Sequence, residues 1–419
     1  MAKQLTSSPQ APADEGAPRW QRTLWSVWTA NLLANLGFSF CMPFLPFYVR
    51  ELGVADDRQA AVWAGAAMTS AGLGLTIFSP IWGAVADRIG RKPMLLRAML
   101  GGAVVIAVLG LVQSAPQLVA LRLLQGAVTG TGAACASLVA SCAPRSRLGY
   151  AMGIMQTSVI AGCSVGPWLG GLVADHIGYR EPFFLCGALW LVSGLIVVFG
   201  VTERFIRPQP GECNGNGLRQ AFGGTGTVAV LSMIFLANFS VMFVGPVFPL
   251  FVERVATGMR PATATGMLMG ISGVAAGIAC LLLGHWGQRF SQRRLLVYTS
   301  VAAGLLSFPH AVATSIGQLV GLRIGWGLAT GGSSPLINSM IGSSVSAASL
   351  GRAFGTMSAA QCLGIALGPL AGGFMAAAVG LRLPFVVMGL LLLASGALIA
   401  AYVKPAASGP SSGADCPPT

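Results

Sequence analysis

The sequence predicts an all-α integral membrane protein with twelve transmembrane helices in two six-helix repeats. Three observations carry this. Apolar runs of about 20 residues, long enough to cross a bilayer, recur along nearly the whole chain. Of 419 residues only 9% are charged, while 54% are hydrophobic. The second half of the chain also repeats the first at a nearly constant offset. A soluble globular protein carries roughly 25% charged residues, so a soluble enzyme is excluded. Strand-like alternation is absent, which excludes an outer-membrane barrel.

Residues 1–21 are polar and rich in Pro and Ala. They read as a cytoplasmic N-terminal tail with no removable signal segment. Residues 22–201 hold six spans, near 23–48, 61–84, 95–114, 117–140, 149–173 and 183–201. The longest internal polar stretch, 202–224, contains Gly211, Gly215, Gly217, Gly223 and Gly224 and reads as a cytoplasmic linker. Residues 225–403 hold the second six spans, near 226–251, 263–284, 295–313, 316–341, 351–377 and 384–403, followed by a tail over 404–419.

The two halves match residue by residue. QLVALR at 117–122 recurs as QLVGLR at 318–323, an offset of 201. At an offset of 202, Gly162, Gly166, Pro167, Gly170 and Gly171 meet Gly364, Gly368, Pro369, Gly372 and Gly373. At 203, Asn35, Pro43 and Pro46 meet Asn238, Pro246 and Pro249. An even number of spans per half makes these parallel repeats about an axis normal to the membrane. Basic residues concentrate on one face, 17 against 6 by this span assignment, which puts both termini in the cytoplasm. The net charge of +13 therefore reports topology rather than a nucleic-acid partner.

The nine cysteines form no C-x-x-C pair and sit mostly in apolar runs, so they read as packing residues, with no metal site. No phosphate-binding G-x-x-x-x-G-K-[ST] loop occurs, which disfavours ATP as the direct energy source. The histidines, at 176, 285 and 310, are too far apart to suggest a membrane-embedded enzyme.

The segment GAVADRIGRKPMLL at 83–96 puts one acid among basic residues on a tight turn between spans two and three. An acid there suits a helix N-terminus of the other half. With Gly83, Asp87, Arg88, Gly90, Arg91 and Lys92, this segment resembles the loop motif G-x-x-x-D-R-x-G-R-[RK] of the major facilitator superfamily. The resemblance implies the major facilitator fold and a latch that locks the cytoplasmic side when the transporter opens outward. The second copy departs from the motif, with Gln288 for the acid and Ser291 for the glycine.

In span five, Gly162, Gly166 and Gly170 form a small-residue groove suited to close helix packing, with Pro167 able to bend it. G-x-x-x-G-P-x-x-G-G over 162–171 also resembles the superfamily's antiporter motif, here including Pro167 and Gly171. In span four, Arg122 shares a helix face with Gln125 and Thr129. A buried arginine is costly and marks a functional position. LRLLQG resembles a superfamily motif whose arginine is linked to proton transfer, although position 326, the repeat of Gln125, is Trp326 beside Arg323. Asn31, Asn35 and Phe38 of span one and Asn238 of span seven suit a mixed cavity lining.

None of the twelve acids falls mid-span. Many drug:proton antiporters of this superfamily carry a buried acid that alternates between proton and cationic substrate. An arginine cannot release its proton at working pH. Coupling is left to Asp87, a rim acid such as Glu51 or Glu253, His310, or an anionic substrate that brings its own proton. Taken whole, the chain resembles the twelve-span drug:proton antiporter subfamily. That implies a monomer in the bacterial inner membrane that exports small amphipathic drugs in exchange for protons, without cofactor. An exporter of one anionic metabolite or siderophore, or an uncoupled facilitator, remains the alternative.

Overall fold

The computed structural model describes residues 17–203, 217–287, 290–344 and 350–403. The tails and the linker lie mostly outside them. Every regular element among the described residues is helical. In a bilayer only a helix or a closed barrel satisfies every backbone N–H and C=O internally.

The first six spans run Trp20–Glu51, Asp57–Ile89, Arg91–Leu109, Ala115–Cys142, Leu148–His176 and Glu181–Gly200. The seventh begins at Gly226–Phe243 and continues past Pro246 as the short helix Phe248–Val255. Pro261–Trp286 and Gln292–Val312 form the eighth and ninth, and Gly355–Val379 and Leu383–Tyr402 the last two. Eleven described segments are thus long and apolar enough to cross a bilayer. The tenth is assembled from two shorter helices, Ile316–Thr330 and Ser333–Ser344. The protein is a multi-pass membrane protein.

Breaks fall where the sequence demands them. Pro43 and Pro46 interrupt the first span with a 3-10 turn at Met42–Phe44. Gly130, at φ 124°, divides the fourth into Ala115–Val128 and Thr131–Cys142.

In the first half, the first span packs on the fifth and sixth, the second on the fourth and the third on the sixth. The second half repeats this, with seven on eleven and twelve, eight on ten, and nine on twelve. Spans two and eleven, and five and eight, join the halves. These four helices therefore carry any relative motion of the two bundles.

Candidate functional site

The expected site residues fall into four groups, the last of them the charged loop. The first is the pair of repeat-related arginines. Arg122 is 2% exposed; its Nη1 donates to Gln125 Oε1 at 2.5 Å and its Nε to the Ala67 carbonyl at 3.3 Å. Arg323 has no such amide. Its guanidinium carbon stands 3.5 Å from the Phe248 ring centre and 5.4 Å from that of Trp326.

The asparagines form the second group. Buried Asn31 donates to Ser158 Oγ at 2.7 Å, tying span one to span five, and Asn35 donates to the Asn31 carbonyl at 2.7 Å. Asn238 donates to the Ile234 carbonyl of its own helix at 2.8 Å. No hydrogen bond joins Asn238 to the first two, and Phe38 is exposed.

The third group is the glycine stripe, which packs inside the first half. A Cβ at Gly162 would lie 2.8 Å from Asn35 Cβ, at Gly166 2.6 Å from Ser39 Cβ, and at Gly170 2.5 Å from Phe40 Cα. Only the stripe's end, Gly171, crosses to the other half, where it would meet the carbonyl carbon of Ala262 at 2.8 Å. Pro167 lies beside it, against Gly266 of the eighth span. The repeat is faithful here, with Gly364 and Gly368 packed on the seventh span at Phe235 and Phe239.

Around the charged loop, Gly90 turns the chain at φ 104°. The Arg91 and Lys92 amides donate to Glu203 Oε1 and Oε2 at 2.9 and 2.7 Å, so Glu203 caps the third span. Arg91 Nη1 donates to the Ser137 carbonyl and Lys92 Nζ to that of Val201. Arg91 and Lys92 are thus pinned within their own half. Asp87 and Arg88 are exposed and make no hydrogen bond or ion pair among the described residues. Asp87 borders a cavity of about 250 Å³ with Gly83, Trp82 and Arg97.

The halves are closed at the opposite face, away from the basic-rich one and here called outer. Every ion pair between halves among the described residues lies there, while deeper in the membrane the Leu370 amide donates to Thr69 Oγ1 at 3.2 Å. Arg50 Nη1 reaches Glu253 Oε2 at 2.6 Å, and Arg254 Nη2 reaches Asp57 Oδ2 at 3.0 Å. Asp175, ending the fifth span, accepts from the Ala262 and Thr263 amides at 3.3 and 2.6 Å and so caps the eighth span across the divide. Arg260 Nη1 donates to the Asp175 carbonyl at 2.8 Å. Burial, and then Asp175, pushes the neighbouring Tyr179 phenol up, which keeps it neutral; its ring packs on Phe47 at 5.5 Å.

Sequence reasoning missed these pairs, although the string holds a signal for them. Arg50 and Glu253 stand 203 apart, as do Glu51 and Arg254. The repeat has therefore exchanged Arg-Glu for Glu-Arg. Near a pseudo-two-fold axis an unexchanged repeat would set like charges against each other; the exchange sets a cation against an acid.

Below these pairs the halves touch backbone to backbone. Ala61 meets Gly373, Gly65 meets Pro369 and Gly72 meets Ala366; Gly171 meets Ala262 and Pro167 meets Gly266, and further in the Ile160 side chain meets Gly277. At the other ends of the same four helices, a Cβ at Gly83, Gly153, Gly284 or Gly355 would meet nothing within 4 Å. The observed antiparallel register, carried inward by two or three turns, sets Gly83 against Gly355 and Gly153 against Gly284.

Comparison with known proteins agrees with this architecture. The family model described as Major Facilitator Superfamily matches residues 27–259 and 230–415. The multidrug resistance protein MdtG of Proteus mirabilis (strain HI4320) is 31% identical over 371 residues, covering 87% of this chain and 92% of its own. Its namesake from Yersinia enterocolitica serotype O:8 is 32% identical over 394 residues, 93% of each chain. The crystal structure of the human organic anion transporter MFSD10 (TETRAN) aligns with a TM-score of 0.66 at 18% identity, over 93% of this chain and 100% of that one. The POT family transporter PepTSo aligns at 0.73 and 13% identity, over 92% of this chain and 98% of its own. At such identities the two structures establish the fold alone, whereas the family model and the sequence relatives go further: the chain belongs to the Major Facilitator Superfamily.

Proposed function

We propose that this protein is a secondary active transporter, not an enzyme, which exports small amphipathic compounds, drugs and antibiotics among them, by alternating access and in exchange for protons. One observation carries the reading: a closed outer gate, with a matching set of glycines left apart at the inner ends of the same four helices. Rocking one half against the other closes the second set as it opens the first. The names of the MdtG relatives support drugs as cargo. The 162–171 motif supports exchange. The protein works as a monomer in the bacterial inner membrane with both termini cytoplasmic.

Asp87 is the inner counterpart of Asp175 in this scheme. Freed in the state described, it docks on a helix N-terminus of the other half when the inner face closes. Asp87→Asn, which keeps shape and removes charge, is expected to cut transport several-fold at unchanged membrane abundance. Wild-type rates would remove the latch role.

Mid-span charge is Arg122 and Arg323 with no acid, so anionic or zwitterionic amphipaths are favoured over permanent cations. The same arginines fit the second reading, a dedicated exporter of one anionic metabolite. Uptake of matched anionic and quaternary-ammonium compounds into everted vesicles, with and without a proton gradient, tests the proposal. Gradient-driven accumulation of several unrelated anions supports it. A single accepted compound favours the second reading, and accumulation indifferent to the gradient defeats antiport.

A further inference from the structure

Arg122 and Arg323 occupy repeat-related positions but stand in different chemistry. Arg122 is buried and answered from within its own half, by Gln125 and the Ala67 carbonyl. Arg323 is half-buried and forms no hydrogen bond or ion pair among the described residues. Its Nε is sealed from solvent without a partner, and so is Nε1 of the adjacent Trp326, a residue only 8% exposed. A third orphan, His310 Nε2, lies on the wall behind them. The His310 ring stacks on Phe385 at 5.8 Å, and its Nδ1–H donates to the Leu306 carbonyl at 2.8 Å.

The repeat explains the difference. In the first half Tyr48 donates to the Leu109 carbonyl at 2.8 Å and Gln125 answers Arg122. The equivalent positions are Phe251, His310 and Trp326, so the second half has lost an acceptor and gained N–H groups and a ring nitrogen. Buried donors left unmade each cost about 1–3 kcal/mol, more when charged. Phe248 holds the guanidinium by its ring face, which positions the cation without neutralising it as a carboxylate would.

We propose that Arg323 and Trp326 form the subsite that receives the anionic head of the exported amphipath, an aryl sulfonate or carboxylate, while Arg122 braces the first half and does not touch the cargo. This rests on the exporter reading above and names the half and the residues that select the cargo. The placement also ties cargo to gate. Arg323 lies seven residues from the outer start of its helix, about 10 Å at the helical rise. Phe248 stands on the same short helix, Phe248–Val255, as the gate residues Glu253 and Arg254. An anion that draws Arg323 off the Phe248 ring therefore acts on the element that holds the outer face shut.

The test is equilibrium binding of tritiated 2-naphthalenesulfonate, and of the matched naphthylmethyl-trimethylammonium, to the full chain in lipid nanodiscs. Arg323→Gln is expected to weaken sulfonate binding about tenfold or more, the range for a hydrogen bond to a charged group, without weakening the ammonium. Arg323→Lys should recover part of the loss, since an ammonium lacks the planar fork. Trp326→Phe, which keeps a ring and removes the N–H, should cost a few-fold. Arg122→Gln should lower the unfolding temperature, with a smaller effect on affinity than Arg323→Gln. Arg58→Gln, an exposed charge control, should change nothing. Sulfonate affinity within twofold of wild type in Arg323→Gln would overturn the subsite. So would an equal loss in Arg122→Gln at equal folded fraction, or a wild type that prefers the ammonium. Export is scored separately in everted vesicles: sulfonate bound through Arg323 but never moved would defeat the exporter reading and leave the subsite standing.

Discussion

Gly266→Leu is expected to abolish transport while both six-helix bundles stay folded. A Cβ at Gly266 would lie 2.8 Å from the carbonyl carbon of Pro167, and one at Gly65 would lie 2.5 Å from the Pro369 carbonyl oxygen. Both obstacles are backbone atoms on the other half, and backbone inside a helix cannot rotate away. A leucine there forces the outer ends apart and leaves intrabundle packing alone. Initial rates should fall by more than tenfold at matched abundance, with outer residues buried in the state described, such as Ala61, becoming reactive to impermeant thiol reagents when replaced by cysteine. The mirror variant, Gly83→Leu, has open space in the state described. It should also stop transport, by blocking inner closure, with those outer positions protected. Wild-type rates in either variant would show that its glycine lies at no gate.

Glu253→Arg should have the next largest effect. It removes the 2.6 Å partner of Arg50 and leaves three cations beside a single acid, Asp57. Each of these pairs is about a third exposed or more on one side, and such a pair stabilises by roughly 0.2–1 kcal/mol. The loss of one pair together with the new repulsion shifts the inward–outward balance by about 1–2 kcal/mol, roughly tenfold. Because Arg50 and Glu253 are repeat equivalents, the double exchange Arg50→Glu with Glu253→Arg should restore most of the wild-type balance. No rescue by the double exchange, measured as thiol accessibility at the outer face, would mean that the pair does not hold the gate.

What the sequence disclosed follows from what the bilayer constrains. Hydrocarbon thickness sets span length, so the runs and the repeat offset could be read directly. The prolines at 43, 46, 246 and 249 marked real breaks. The stripe Gly162, Gly166, Gly170 was legible as close packing, but its partner, the first span, was not, because helix order around a bundle leaves no mark on a single string. Asp175 stood among acids outside the spans; that it caps the eighth span depends on where two distant chain ends meet. Asp87, expected to latch, is free in the state described, since one conformation can engage only one face. That Trp326 replaces Gln125 beside Arg323 was legible in the repeat, but that Gln125 answers Arg122 while Arg323 lies unanswered on the Phe248 ring was not.

The central claim, that two matched closures alternate, is tested most directly by two spin-label distances in the full chain after its native cysteines are replaced. One pair, at Gln59 and Ala378, reports the outer ends of spans two and eleven. The other, at Tyr150 and Trp286, reports the inner ends of spans five and eight; all four positions are exposed. On introducing Glu253→Arg, the outer distance should lengthen and the inner distance shorten in the same fraction of molecules. Two distances that stay fixed, or that move in the same sense, would contradict alternating access through these helices.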